Sequence, residues 1–105
     1  MMNMPIAEVA PEPRPTAAWR VVSVAALPDA RLRVAFVDGT EGEVRMGPFL
    51  ASPKVVGTPF EPLRDTAFFS QARVVLGAVQ WPSGADLAPD AMYDTIREKG
   101  TFVLE

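Results

Sequence analysis

The sequence predicts a small two-layer α+β domain, in which a mainly antiparallel sheet of about five strands carries a C-terminal helix and a short middle helix on one face. Three observations support this class. Short runs of alternating apolar residues resemble strands, one amphipathic helix follows them, and 105 residues suffice for only one core. We therefore expect a single folded domain over residues 19–105.

Residues 1–18 differ in composition from the rest of the chain. They contain Pro5, Pro11, Pro13 and Pro15 among alanines and glutamates. Proline interrupts the hydrogen bonding of helices and strands, and this stretch has little apolar surface to bury. We predict a flexible tail here. A tag-like origin for part of it, or docking of a partner through polyproline II geometry, are the alternatives.

Two strands are predicted in RVVSVAA and RLRVAFV, and a third in TEGEVRM. The loop Val37–Gly39 sets the register of the last two, because a shift by one residue would bury the glutamates. The expected pairs are Phe36 with Thr40, Val34 with Gly42, Leu32 with Val44 and, on the other face, Arg33 with Glu43. Gly39 would occupy the left-handed position of the loop.

The stretch GPFLASPKVVGTPFEPLRD is rich in proline and glycine, which predicts an irregular crossing segment with one helical turn around residues 49–51. Its apolar side chains indicate that it lies on the core. Asp65 is a good N-cap for two helical turns in TAFFSQA, which would insert Phe68 or Phe69 into the core.

RVVLGAVQW predicts a second hairpin with a two-residue turn at Gly77–Ala78. The expected pairs on its apolar face are Leu76 with Val79 and Val74 with Trp81. The last helix is predicted over Pro89–Lys99, with proline at its first position and Gly100 at its end. The final residues, TFVLE, either add an edge strand or fray.

Composition argues against several functional classes. Histidine and cysteine are both absent, so the usual acid-base catalyst, the thiol nucleophile and the commonest zinc ligands are missing. The net charge of −3 and the scattered basic residues argue against direct binding of nucleic acid. We expect no cofactor, no metal and no enzymatic activity. The start of the chain lacks the layout of a secretion signal, and no apolar run has the length of a membrane span, so we expect a cytoplasmic location.

Several motifs follow one another in an order that resembles a bacterial family, the domain of unknown function 2442. The resemblance covers residues 20–99 and rests on Phe36, Asp38, Gly39, Phe60, Leu63, Asp65, Trp81, Pro82, Gly84, Ala85, Asp86 and Tyr93. Ser83 departs from the family, whose members often carry asparagine at this position. The resemblance implies a small α+β domain without an established activity. Some relatives carry an added helix-turn-helix domain, and others are encoded beside a second small protein, which suggests a toxin-antitoxin-like or regulatory pair.

The segment WPSGAD, residues 81–86, is the most distinctive part of the chain. We interpret it as a structural joint, with Trp81 in the core, Gly84 in a tight bend and Asp86 accepting backbone N–H groups of that bend. Trp81 as a ligand-stacking platform is the alternative. Asp86, Asp90 and Asp94 recur at the spacing of helical turns, which favours a solvated face over a site for Mg²⁺ or Ca²⁺.

The preferred functional interpretation is a protein-protein interaction or regulatory module that binds a protein partner or a second copy of itself. Its candidate surface is the mixed face of the sheet, with Arg31, Arg33, Ala35, Val37 and Arg45. The alternative is a small-molecule sensor with a pocket formed by Trp81, Asp86 and Tyr93. An enzyme would have to use Asp86 as a base and Arg64 as an anion clamp.

Overall fold

Two sheets form the frame of the domain in residues 17–105, the range that the computed structural model describes. Apart from Ala17 and Ala18, the tail predicted for residues 1–18 lies outside that range. The strands are β1 Val21–Leu27, β2 Arg31–Phe36, β3 Glu41–Arg45, β4 Arg73–Val75, β5 Ala78–Gln80, β6 Asp86–Leu87 and β7 Thr101–Val103. The predicted α+β class is confirmed, but two sheets replace the single one that we expected.

The first sheet has the spatial order β1-β2-β3-β7. β1, β2 and β3 are antiparallel, whereas β7 runs parallel to β3 and places Phe102 beside Val44. The last residues therefore form an edge strand. Parallel partners need a long connection, and the whole chain between β3 and β7 supplies it here.

The β2–β3 hairpin has the predicted register. Leu32 lies opposite Val44, Val34 opposite Gly42 and Arg33 opposite Glu43, while the Phe36 N–H donates to the Thr40 carbonyl at 2.8 Å. Gly39 has a φ of 91°, as the three-residue loop requires. Alternation thus buries the apolar side of the hairpin and exposes its charged side.

The crossing segment consists of short helical pieces. These are α1 Gly47–Ala51, 3₁₀ turns at Pro53–Val55 and Glu61–Arg64, and α2 Thr66–Phe69. Leu50, Val55 and Leu63 are buried, which confirms that the segment lies on the core. The Asp65 side chain accepts the Phe68 N–H at 3.1 Å, as an N-cap should. α2 has one turn rather than the predicted two, because a 3₁₀-like pattern follows Phe69.

The second sheet has the order β4-β5-β6, and its hairpin register differs from our prediction. Val74 lies opposite Val79 and Val75 opposite Ala78, so the turn is Leu76–Gly77 and the predicted pairs of Leu76 and Val74 are wrong. Both turn residues have positive φ, 52° and 82°, the geometry of a type I′ turn with glycine second. Since the partner of Val74 moves by two residues, Val79 and Trp81 still share the buried face.

The helix α3, Pro89–Lys99, has the predicted bounds. Gly100 ends it in the left-handed conformation, with a φ of 80°, and its N–H donates to the Ile96 carbonyl at 2.7 Å. Met92, Tyr93 and Ile96 are buried against the sheet. The helix lies against β3 at Gly42, which has no side chain to separate them. One face of the first sheet is therefore sealed by α3.

Candidate functional site

Trp81 is a core residue that links the second sheet to the crossing segment. Its side chain is 1 % exposed and packs on the Phe69 ring with centroids 5.8 Å apart. The indole N–H donates to the Phe69 carbonyl at 2.9 Å, so the backbone supplies the acceptor that a buried tryptophan needs. The aromatic ring of WPSGAD therefore joins β5 to α2 and presents no stacking surface to solvent.

The bend that follows Trp81 is closed by the backbone. The Trp81 N–H donates to the Ala85 carbonyl at 2.9 Å, and the Gly84 N–H donates to the Trp81 carbonyl at 3.0 Å. Gly84 has a φ of 94°, which glycine adopts without steric cost. Asp86 does not have the predicted role of accepting backbone N–H groups of the bend. It lies in β6 opposite Gln80 of β5, and its exposed carboxylate accepts no hydrogen bond from residues 17–105.

Tyr93 belongs to a polar cluster that the sequence does not reveal. Its hydroxyl donates to Asp38 Oδ2 at 2.5 Å and accepts from Arg97 Nη1 at 3.1 Å. Its ring packs edge-to-face on Phe36, with centroids 5.2 Å apart. Asp38 also accepts the Thr40 N–H at 2.9 Å. The cluster thus ties the β2–β3 loop to α3, and the DG dipeptide has a tertiary role besides its turn chemistry.

The hydrogen bond from Tyr93 is the main reason that the pKa of Asp38 is lowered. Bonds from Thr40 and the nearby charge of Arg97 act in the same direction, and partial desolvation opposes them. A carboxylate with a lowered pKa in the folded state stabilises the fold above its unfolded pKa. That contribution is lost as the pH falls through the lower, folded-state value.

We therefore expect Asp38→Asn to destabilise the domain at neutral pH and to make its stability less dependent on pH in the acid range. The difference from the parent protein should shrink as the pH falls from about 5 to about 2, because both side chains are then uncharged. Urea unfolding monitored by circular dichroism at several pH values measures this. Asp86→Asn is the matched control and should follow the parent. Parallel pH profiles for Asp38→Asn and the parent would contradict the assignment.

The outer face of the first sheet, opposite the buried Leu32, Val34 and Val44, carries a ladder of ion pairs. Glu43 accepts from Arg31 at 2.9 Å and from Arg45 at 2.7 Å, while Arg33 pairs with Glu41 at 3.0 Å. The hydrogen bond from Arg45, followed by the charge of Arg31, lowers the pKa of Glu43 against partial desolvation. The predicted surface residues Arg31, Arg33 and Arg45 are therefore brought together, with two glutamates between them.

A pocket of about 590 Å³ opens at the end of the first sheet. The turn between β1 and β2 forms one wall, and α1 with residues 63–70 forms the others. Arg64 is the one predicted site residue that lines it. No sequence pattern indicates this pocket, since its walls come from three segments that are separate in the chain.

The predicted ligand residues do not share one environment. Trp81 bonds to Phe69, Tyr93 bonds to Asp38, and Asp86 is exposed in β6. Among residues 17–105, no three or more acidic side chains gather closely enough to hold a metal ion. In the same range, no helix combines the length and apolar character that spanning a membrane requires.

These features define a small α+β domain with a charged sheet face and a sizeable pocket. The chain belongs to the family described as "Protein of unknown function (DUF2442)", whose model matches residues 21–98. The family resemblance proposed from the sequence is thereby confirmed. Neither the curated proteins nor the solved structures contain a significant match to the chain.

Proposed function

We propose that this domain is a protein-protein interaction module that binds through the outer face of its four-stranded sheet. The supporting observation is that α3 and the crossing segment pack on the opposite face, while Arg33, Glu41 and Arg45 on this face are exposed. A sheet face left open in this way is a common place for a partner to bind. A toxin-antitoxin-like or regulatory pair is the form of this proposal that the family resemblance suggests.

The chemistry of the outer face indicates what a partner must offer. Exposed ion pairs contribute little to the stability of a domain, so the ladder has limited value to the isolated fold. Small or apolar side chains lie beside it, among them Ala25, Ala35, Val37 and Val103. A matching surface would carry both signs of charge around an apolar centre.

A second copy of this chain meets that requirement. Arg31 and Arg45 lie opposite each other at one end of the ladder and Glu41 lies at the other end, so a two-fold axis through it would place the arginines of one copy against the glutamates of the other. An unrelated protein with the same separation of charges would bind in the same way. Both arrangements depend on the charge of Arg33. Its side chain is 55 % exposed, compared with 57 % for Arg45 and 33 % for Arg31.

We expect Arg33→Glu to weaken self-association or partner capture by about tenfold or more, because it places like charges together at the contact. Arg73→Glu is the matched control, since Arg73 is exposed on β4 in the other sheet. Sedimentation of the purified protein tests the homodimer. Affinity capture from the native cell, followed by reconstitution with the recovered protein, tests a foreign partner.

The proposal fails on either of two results. One is a parent protein that stays monomeric at micromolar concentration and recovers no partner. The other is a complex that Arg33→Glu and Arg73→Glu affect equally. Unchanged thermal unfolding of both variants shows that any loss of binding reflects the surface and not the fold.

A further inference from the structure

We infer that the pocket between the β1–β2 turn, α1 and residues 63–70 binds a small organic anion with an apolar body. This site lies on a different part of the domain from the outer face. Its volume of about 590 Å³ falls within the range of small-molecule sites. Most of its walls are apolar, with contributions from Leu27, Pro28, Leu50, Leu63 and Phe69.

Arg64 supplies the positive charge of this pocket. Its Nε donates to the Leu50 carbonyl at 2.6 Å and its Nη2 donates to the Ser52 carbonyl at 3.1 Å. These two hydrogen bonds hold the guanidinium at the end of α1. Within residues 17–105, no carboxylate forms an ion pair with Arg64, and its Nη1 has no protein acceptor. A positioned guanidinium with a free N–H group and an uncompensated charge is suited to bind a carboxylate or a similar anion.

The opposite wall contains backbone in an unfavourable conformation. Asp29 and Ala30 have φ values of 65° and 56°, in the left-handed region that residues with a side chain rarely adopt. The Ala30 carbonyl accepts the Met46 N–H at 2.9 Å, which holds this turn over the start of α1. Strained residues occur disproportionately at binding sites, because the surrounding structure must maintain them. The turn therefore forms one wall of the pocket.

The charge of Asp29 allows a test of whether the bound molecule is an anion. Asp29 is also a lining residue, so its negative charge opposes the binding of an anion that Arg64 attracts. Removing the negative charge should tighten binding, and removing the positive charge should weaken it. A ligand held only by apolar contact would respond to neither change.

The probe for this experiment is 4-phenylbutyrate, compared with its neutral amide, 4-phenylbutanamide. In amide chemical-shift titrations of the full chain, we expect saturable shifts around residues 26–30 and 63–70, with a Kd at or below about 1 mM. The neutral amide should bind about tenfold more weakly, because it cannot form the charge-assisted hydrogen bond.

Four variants complete the design. Arg64→Gln should reduce affinity for phenylbutyrate, Asp29→Asn should increase it, and Ala51→Trp should abolish binding by filling the pocket from the exposed end of α1. Arg73→Gln removes an exposed arginine of β4 that does not line the pocket and should change nothing. Since Arg64 also holds two backbone carbonyls, Asp29→Asn and Ala51→Trp keep the test decisive if Arg64→Gln unfolds. Absence of saturable shifts, equal binding of acid and amide, or insensitivity to Ala51→Trp would overturn the inference.

Discussion

Trp81→Ala should lower the free energy of unfolding by about 3–5 kcal/mol, since it empties a fully buried aromatic site. The loss includes the contact with the Phe69 ring and the bond from the indole N–H to the Phe69 carbonyl. A domain of this size has a total stability of about 5–15 kcal/mol, so the variant should be close to unfolding at physiological temperature. Urea unfolding followed by circular dichroism measures the difference.

Two further variants separate the parts of this effect. Trp81→Phe keeps most of the ring but leaves the Phe69 carbonyl without its donor, for which we expect about 1–3 kcal/mol. Trp19→Ala is the control, because Trp19 is 40 % exposed and its loss should cost less than about 1 kcal/mol. Equal losses in the free energy of unfolding for Trp81→Ala and Trp19→Ala would show that Trp81 does not anchor the fold.

Gly42→Ala should cost about 1–3 kcal/mol, although it adds only one methyl group. The new β-carbon would collide with Ile96 Cγ2 and lie 2.8 Å from the Gly100 carbonyl oxygen, at the point where α3 crosses β3. The side chain can move, but the carbonyl is part of the helix end. Gly47→Ala is the matched control. Its β-carbon would find its nearest heavy atom at 4.0 Å, so no collision is expected there.

A double-mutant cycle tests the contact itself. Combining Gly42→Ala with Ile96→Ala should cost less than the sum of the two single variants, because the smaller side chain removes one of the two collisions. The remaining contact with the Gly100 carbonyl should keep the double variant below the stability of Ile96→Ala alone. Strict additivity would indicate that α3 does not approach β3 at this residue.

The first hairpin and the last helix could be predicted because their signals are local and mutually consistent. In the β2–β3 hairpin, glutamates and apolar residues alternate, so only one register keeps the charges exposed. In the second hairpin, apolar residues occupy positions 74, 75 and 76, and a shift of the turn buries no charged group. Either turn therefore satisfied the pattern, and the placement of Gly77 was not determined by it.

The polar cluster and the pocket depend on distances that a sequence pattern does not contain. Asp38 and Tyr93 are 55 residues apart, and each has a sufficient local explanation, as a turn residue and as a helix residue. The pocket combines the β1–β2 turn with a proline-rich crossing segment whose path has no periodicity. The charge of Arg64 identifies it as an anion-binding candidate, but no sequence pattern identifies the residues that surround it.

The parallel pairing of β3 with β7 has a consequence for biosynthesis. β3 leaves the ribosome more than 50 residues before its partner Thr101–Val103 does. In that interval one edge of β3 has unpaired N–H and carbonyl groups, a state that favours aggregation between nascent chains. β3 carries the charged residues Glu41, Glu43 and Arg45, and charged side chains on an unpaired edge strand disfavour strand pairing with another chain before β7 is in place.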